Sequence, residues 1–109
     1  MIKSAVIFLI TILPFIALGQ NNANVEVALR LEPTSESTRK SEGDFIKLKD
    51  GRILFIYSDF SGGEGDHSTA KLSGRFSDDN GKTWSTSDEL VLSNEGKMNV
   101  MSVSLLRLA

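Results

Sequence analysis

An all-β fold is predicted by three features of the chain. Short apolar or alternating segments recur between Val25 and Leu92, at the period of strands. Hairpin-type turn residues separate them, at Lys49-Asp50-Gly51 and again at Asp78-Asp79-Asn80-Gly81. After residue 19 no stretch carries apolar side chains at helical period.

The chain opens on "MIKSAVIFLITILPFIALG", with one cation, Lys3, then an apolar run from Ala5 to Leu18 broken only by Thr11 and Pro14, and small residues before Gln20. This pattern is that of a secretory signal peptide over residues 1–19, cleaved after Gly19. The run is shorter than the roughly 20 residues a membrane span requires, so no membrane association is expected after cleavage. The expected location is secreted or periplasmic. There is no Cys, which excludes a lipid-anchored form and any disulfide staple. Loss of residues 1–19 removes one Lys and takes the formal charge from −2 to −3, a balance that points away from nucleic acid.

In the remaining chain, "VEVALRL" from Val25 to Leu31 alternates strictly and predicts a half-buried strand that Pro33 ends. "TSESTRKSEG" is polar and without period, and predicts a loop. "DFIKLKDGRILFIYSDF" reads as a hairpin around Asp50-Gly51, and its apolar second arm, Ile53 to Tyr57, as a central strand covered on both faces. "SGGEGDHS" predicts a flexible loop, Thr69 to Ser77 a third strand, and Trp84 to about Leu92 a fourth. Four antiparallel strands in up-and-down order with tight turns describe a propeller blade. A weak repeat accompanies them: "FIKLKDG" from Phe45 resembles "LLRLA" from Leu105, with Lys47 matching Arg107 and Leu48 matching Leu108.

The turn "GRFSDDNGKTWS", Gly74 to Ser85, is the densest polar motif. A calcium loop with Gly81 as its sixth position would place Phe76 first and Ser87 twelfth, and neither can supply the ligands that loop needs. A phosphate loop ending on Gly81-Lys82-Thr83 would likewise need a Gly where Phe76 stands. A structural turn fits: Asp and Asn side chains bond to nearby backbone amides, Gly81 takes a positive φ, and Trp84 returns to the core. Ser77, Asp79, Gly81, Thr83 and Trp84 complete the pattern S-x-D-x-G-x-T-W.

That pattern resembles the Asp-box of the sialidase (neuraminidase) superfamily and related β-propellers. The likeness covers the chain from about Glu32 to Ala109, and is nearest to the bacterial exo-α-sialidase-like proteins. It implies a six-bladed propeller of which residues 20–109 form an incomplete domain, the first blade and the start of the second. The Asp-box residues would serve the fold, on the propeller face away from substrate.

The same resemblance implies the site. Arg39 takes the place of one of three arginines that grip the substrate carboxylate, although Lys-Ser follows it where the family has Ile-Pro. A guanidinium suits that task because it can make two parallel bonds. Asp66, in the loop between the second and third strands, takes the place of the general acid/base. Glu42 and Asp44 bracket Gly43 beside Arg39 and would hold it in position or touch substrate hydroxyls, and His67 would tune Asp66 or bind substrate. Asp59 stands where the family has a further basic residue. The nucleophilic Tyr would lie in later blades, since Tyr57 is placed in the core. Neither metal nor cofactor is implied. The expected partner is a sialylated glycan or related carbohydrate; the other function open to such a scaffold is non-catalytic binding of carbohydrate or protein.

Overall fold

The computed structural model describes residues 24–109; the predicted signal peptide lies outside them. They form one antiparallel sheet of four strands, β1 (Arg39–Lys47), β2 (Ile53–Ser61), β3 (Thr69–Ser77) and β4 (Glu89–Leu92), in the order β1-β2-β3-β4. Among the described residues there is no helix, and so none long and apolar enough to cross a membrane.

The β1–β2 hairpin turns on Asp50 and Gly51. Gly51 has φ 92°, a left-handed angle that a side chain would strain. Asp50 accepts the Arg52 amide at 3.0 Å, and Leu48 N donates to Arg52 O at 2.7 Å. β2 is central, as its apolar run predicts, and every residue from Ile56 to Phe60 is buried. Two of those five are polar, Ser58 and Asp59, and both are hydrogen-bonded, as burial requires.

Three expectations are corrected. Val25 to Leu31 forms no strand: Val25 and Val27 are 89% and 61% exposed. Alternation fits a chain for pairing but does not provide a partner edge, and among the described residues none is offered to this segment. The second half of the predicted loop from Thr34 to Gly43 is instead strand, since β1 begins at Arg39. Pairing with β2 runs from Arg39↔Phe60 to Ser41↔Ser58 and resumes at Asp44↔Ile56 across a bulge, which absorbs the polar residues that read as aperiodic. The fourth strand begins at Glu89 rather than Trp84, because the chain after Trp84 first folds back on β3. Ser85 N donates to Phe76 O at 2.7 Å, and Phe76 N donates to Ser85 Oγ at 3.0 Å.

Register divides the sheet into two faces. Ser58, Phe60, Ala70 and Asp44 share one; Tyr57, Asp59, Ser73 and Phe45 share the other. Residues 99–107 cross the Ser58 face. Val100 N donates to Ala70 O at 3.1 Å, Ser102 N to Ser58 Oγ at 3.0 Å, and Leu105 N to Asp44 Oδ2 at 2.8 Å.

From Ser102 onward this segment runs parallel to β1. Ser102 Oγ meets Glu42 Oε2 at 3.3 Å, and Arg107 Nη2 donates to Lys47 O, both pairs 60 residues apart. That is also the offset of the sequence repeat. Glu42 and Ser102, equivalent under it, have φ of 51° and 67°. Left-handed angles are uncommon outside Gly; Glu42 takes one within the bulge of β1 and Ser102 takes one where the crossing segment meets it.

Candidate functional site

Ser77, Asp79, Gly81, Thr83 and Trp84 form a closed hydrogen-bond network. Asp79 Oδ1 accepts Ser77 Oγ at 2.9 Å and Thr83 N at 2.8 Å, while its Oδ2 accepts Thr83 Oγ1 at 2.5 Å. Ser77 Oγ accepts Gly81 N at 2.8 Å, and Trp84 Nε1 donates to Gly81 O at 3.1 Å. Asn80 and Gly81, with φ of 61° and 87°, make the reversal. The Thr83 hydroxyl, then the Thr83 amide, hold the Asp79 carboxyl below its ordinary 3.8, at about 2. Trp84 closes on the sheet edge-to-face with Phe55, ring centroids 6.2 Å apart. Every contact made by this carboxylate is internal to the turn, which is the arrangement of a structural element.

Arg39 and Asp66 meet. Arg39 Nη1 donates to Asp66 Oδ1 and to Glu64 O, each at 2.8 Å. The guanidinium also lies over the Phe60 ring, 3.9 Å from its centroid. β1 supplies Arg39 at its first residue, opposite Phe60 in register, and so beside the loop of residues 62–68. Thr38 anchors the base of that loop: its Oγ1 donates to Gly63 O at 2.5 Å. Arg39 Nε is buried without a partner. The arginine side chain is 27% exposed and that of Asp66 70%, so the pair presents a carboxylate to solvent with a cation beneath it. The described residues enclose no cavity around the pair. The turn from Ser77 to Trp84 lies at the opposite end of the sheet, beside Ile53, a strand length of roughly 20 Å away.

No protein-family model, curated protein or solved structure matches the chain significantly.

The other predicted site residues are not gathered around Arg39. Glu42 accepts from Ser102, and Asp44 from the amides of Phe45 and Leu105, so neither holds the guanidinium. The bulge between Ser41 and Asp44 turns both toward the segment from Ser102 to Leu105. His67 is next to Asp66 in sequence, but its Nδ1 lies 3.4 Å from Met98 Sδ.

Two polar clusters on the Tyr57 face, each with a buried member, Tyr57 in one and Asp59 in the other, have no counterpart in the sequence reading. The Tyr57 hydroxyl donates to Asp88 Oδ1, which also accepts Arg75 Nη2 at 2.6 Å, while Lys40 Nζ lies 3.7 Å from Asp88 Oδ2. Burial and the Asp88 hydrogen bond raise the Tyr57 pKa. Burial pushes Asp88 up, but hydrogen bonds from Tyr57 and Arg75 outweigh it and leave Asp88 below its ordinary value. Asp59, 4% exposed, accepts the hydroxyls of Ser37 and Ser73, the latter at 2.8 Å. The polar pair Ser58-Asp59 inside an apolar strand was the signal available in the sequence for the second cluster. For the first there was none, because nothing in the sequence ties Asp88, inside the predicted fourth strand, to Tyr57, 31 residues away.

Proposed function

We propose that the chain is the opening of an Asp-box propeller of sialidase type, its sheet the first blade and residues 99–107 the entry to the second. The complete protein would be an exo-α-sialidase-like glycoside hydrolase that releases terminal sialic acid from glycoconjugates. One observation carries this reading: Arg39 and Asp66, assigned from separate stretches of sequence, stand 2.8 Å apart at the end of the sheet opposite the Asp-box. The parallel run beside β1 with its 60-residue offset supports the blade arrangement.

The chemistry follows from the pair. A substrate carboxylate takes over the Arg39 contact that Asp66 now occupies, one carboxylate replacing another on the same guanidinium. Asp66, released, takes up a proton from solvent and passes it to the leaving glycosidic oxygen as the bond to the sugar breaks. Sialidases use a Tyr nucleophile in place of a second carboxylate. Tyr57 cannot serve, being 1% exposed with its hydroxyl given to Asp88; the nucleophile therefore comes from outside the described residues.

The test is turnover of a fluorogenic aryl sialoside. The complete propeller protein is expected to be active and residues 20–109 alone inactive. Activity of residues 20–109 alone, or none in the complete protein, would remove the reading. A non-catalytic propeller that binds carbohydrate or protein is favoured by a different observation, that Arg39 already has an internal carboxylate partner on an open surface. Binding of a sialylated glycan without hydrolysis is its outcome.

A further inference from the structure

The loop that carries Asp66 is held from two sides. Arg39 holds it through Glu64 O and the Asp66 carboxylate. Asn99, on the segment crossing the Ser58 face, holds it through the backbone. Its Nδ2 donates to Asp66 O at 2.6 Å and to Ser68 O at 3.1 Å. A primary amide carries two N–H groups on one nitrogen, and here they span the carbonyls on either side of His67. Val100 N bonds to Ala70 O at 3.1 Å just beyond the loop, which fixes Asn99 against it.

The two clamps are related. Arg39 and Asn99 are 60 residues apart in the chain, as are Glu42 and Ser102, which touch across the two segments. Both positions reach into the same loop, one from within its own sheet and one from the segment stacked upon it. Asn99 touches only backbone, so it sets where the loop stands without entering the exposed surface around the Asp66 carboxylate.

We propose that Asn99 is a positioning residue for Asp66, which fixes the loop so that the carboxylate faces Arg39 and any sugar bound there. The catalytic half of this proposal rests on the reading of Asp66 as the acid; the clamp itself does not. Asn99→Asp is nearly isosteric but replaces the nitrogen that carries both donors with an oxygen that faces two carbonyls. Asn99→Gln keeps the amide on a longer stem and should restore part of the effect.

The experiment uses the complete protein and two measurements. Ser68 N donates to Gly65 O at 2.9 Å within the loop, so its amide exchange reports loop opening. Asn99→Asp should speed that exchange by about tenfold or more, the effect of losing one or two hydrogen bonds, with β2 amides unchanged and Asn99→Gln intermediate. Turnover of alkyl sialosides, whose leaving groups need protonation, should fall by about tenfold or more, a fraction of the benefit of general acid catalysis. Aryl sialosides should be little affected, and in an Asp66→Asn background Asn99→Asp should cause no further loss. Unchanged Ser68 exchange would overturn the clamp, and independent, multiplicative losses with Asp66→Asn would overturn its catalytic role. If Asp66→Asn alone leaves alkyl-sialoside turnover intact, the acid assignment falls and Ser68 exchange alone decides for or against the clamp.

Discussion

Asp79 and Asp88 are two carboxylates with contrasting surroundings. Asp79 is fully exposed yet accepts three hydrogen bonds from Ser77 and Thr83, and titrates at about 2 rather than 3.8. A carboxyl whose pKa is depressed on folding stabilises the fold above its unfolded value, and that contribution disappears as pH falls through the folded one. Thermal unfolding followed from pH 6 to pH 1.5 should therefore show a loss of stability beginning near pH 4 and complete only near pH 2, and Asp79→Asn should flatten that part of the profile. At neutral pH the same substitution should lower the Tm by roughly 5 °C or more without touching the Arg39 end of the sheet. Asp88 instead compensates two cations that are largely buried, Arg75 and Lys40, with side-chain exposures of 13% and 6%. Asp88→Asn leaves both without their counter-charge and should cost about 2 kcal/mol or more, whereas Tyr57→Phe, which removes one hydrogen bond, should cost about 1 kcal/mol. Chemical denaturation of the two variants checks the order.

At the level of elements, the bulge in β1 does more than the hairpin turns to shape the molecule. It inserts Glu42 and Gly43 between paired residues and so turns Asp44 toward Leu105. Gly43 is required there by contact: a Cβ would stand 2.5 Å from the Phe55 ring and 2.9 Å from Ile56 O. The ring can rotate, but the carbonyl belongs to the β1–β2 ladder and cannot. Gly43→Ala should destabilise by about 1–3 kcal/mol, the usual range for overpacking, and should weaken the contacts of residues 102–105 more than those of β3 with β4. Amide exchange at Leu105 compared with Leu90 separates these outcomes.

The described residues form one sheet with strongly exposed apolar side chains. Phe45, 68% exposed, and Leu90, 63% exposed, belong to the Tyr57 face. Residues 99–107 cover much of the opposite face, but nothing comparable covers this end of the Tyr57 face among the described residues. If another sheet stacks there, as a propeller requires, Phe45→Ser in the complete protein should cost about 2 kcal/mol or more by removing a buried aromatic. If that face is free in the complete protein, the substitution should be neutral or improve solubility. Thermal melts of the complete protein distinguish the two.

The Asp50-Gly51 hairpin, the central place of β2, the strand Thr69–Ser77 and the closed turn from Ser77 to Trp84 were legible in order along the chain. Each depends on interactions between residues close in sequence or on a period that any partner strand would satisfy. The same locality misled at Val25 to Leu31, where the pattern of a strand was present and the partner edge was not. It misled again at Ser41 to Asp44, where a bulge hid pairing behind polar residues. Arg39 and Asp66 are visible in the sequence only as residue types: their contact joins residues 27 apart in the chain, and the Asn99 bond to the Asp66 backbone comes from a segment 33 residues further on. The Tyr57–Asp88–Arg75–Lys40 cluster draws on three strands and the turn before the fourth. Polar groups so distant in sequence carry no periodic trace of one another, and only the packing of the sheet decides which donors and acceptors meet.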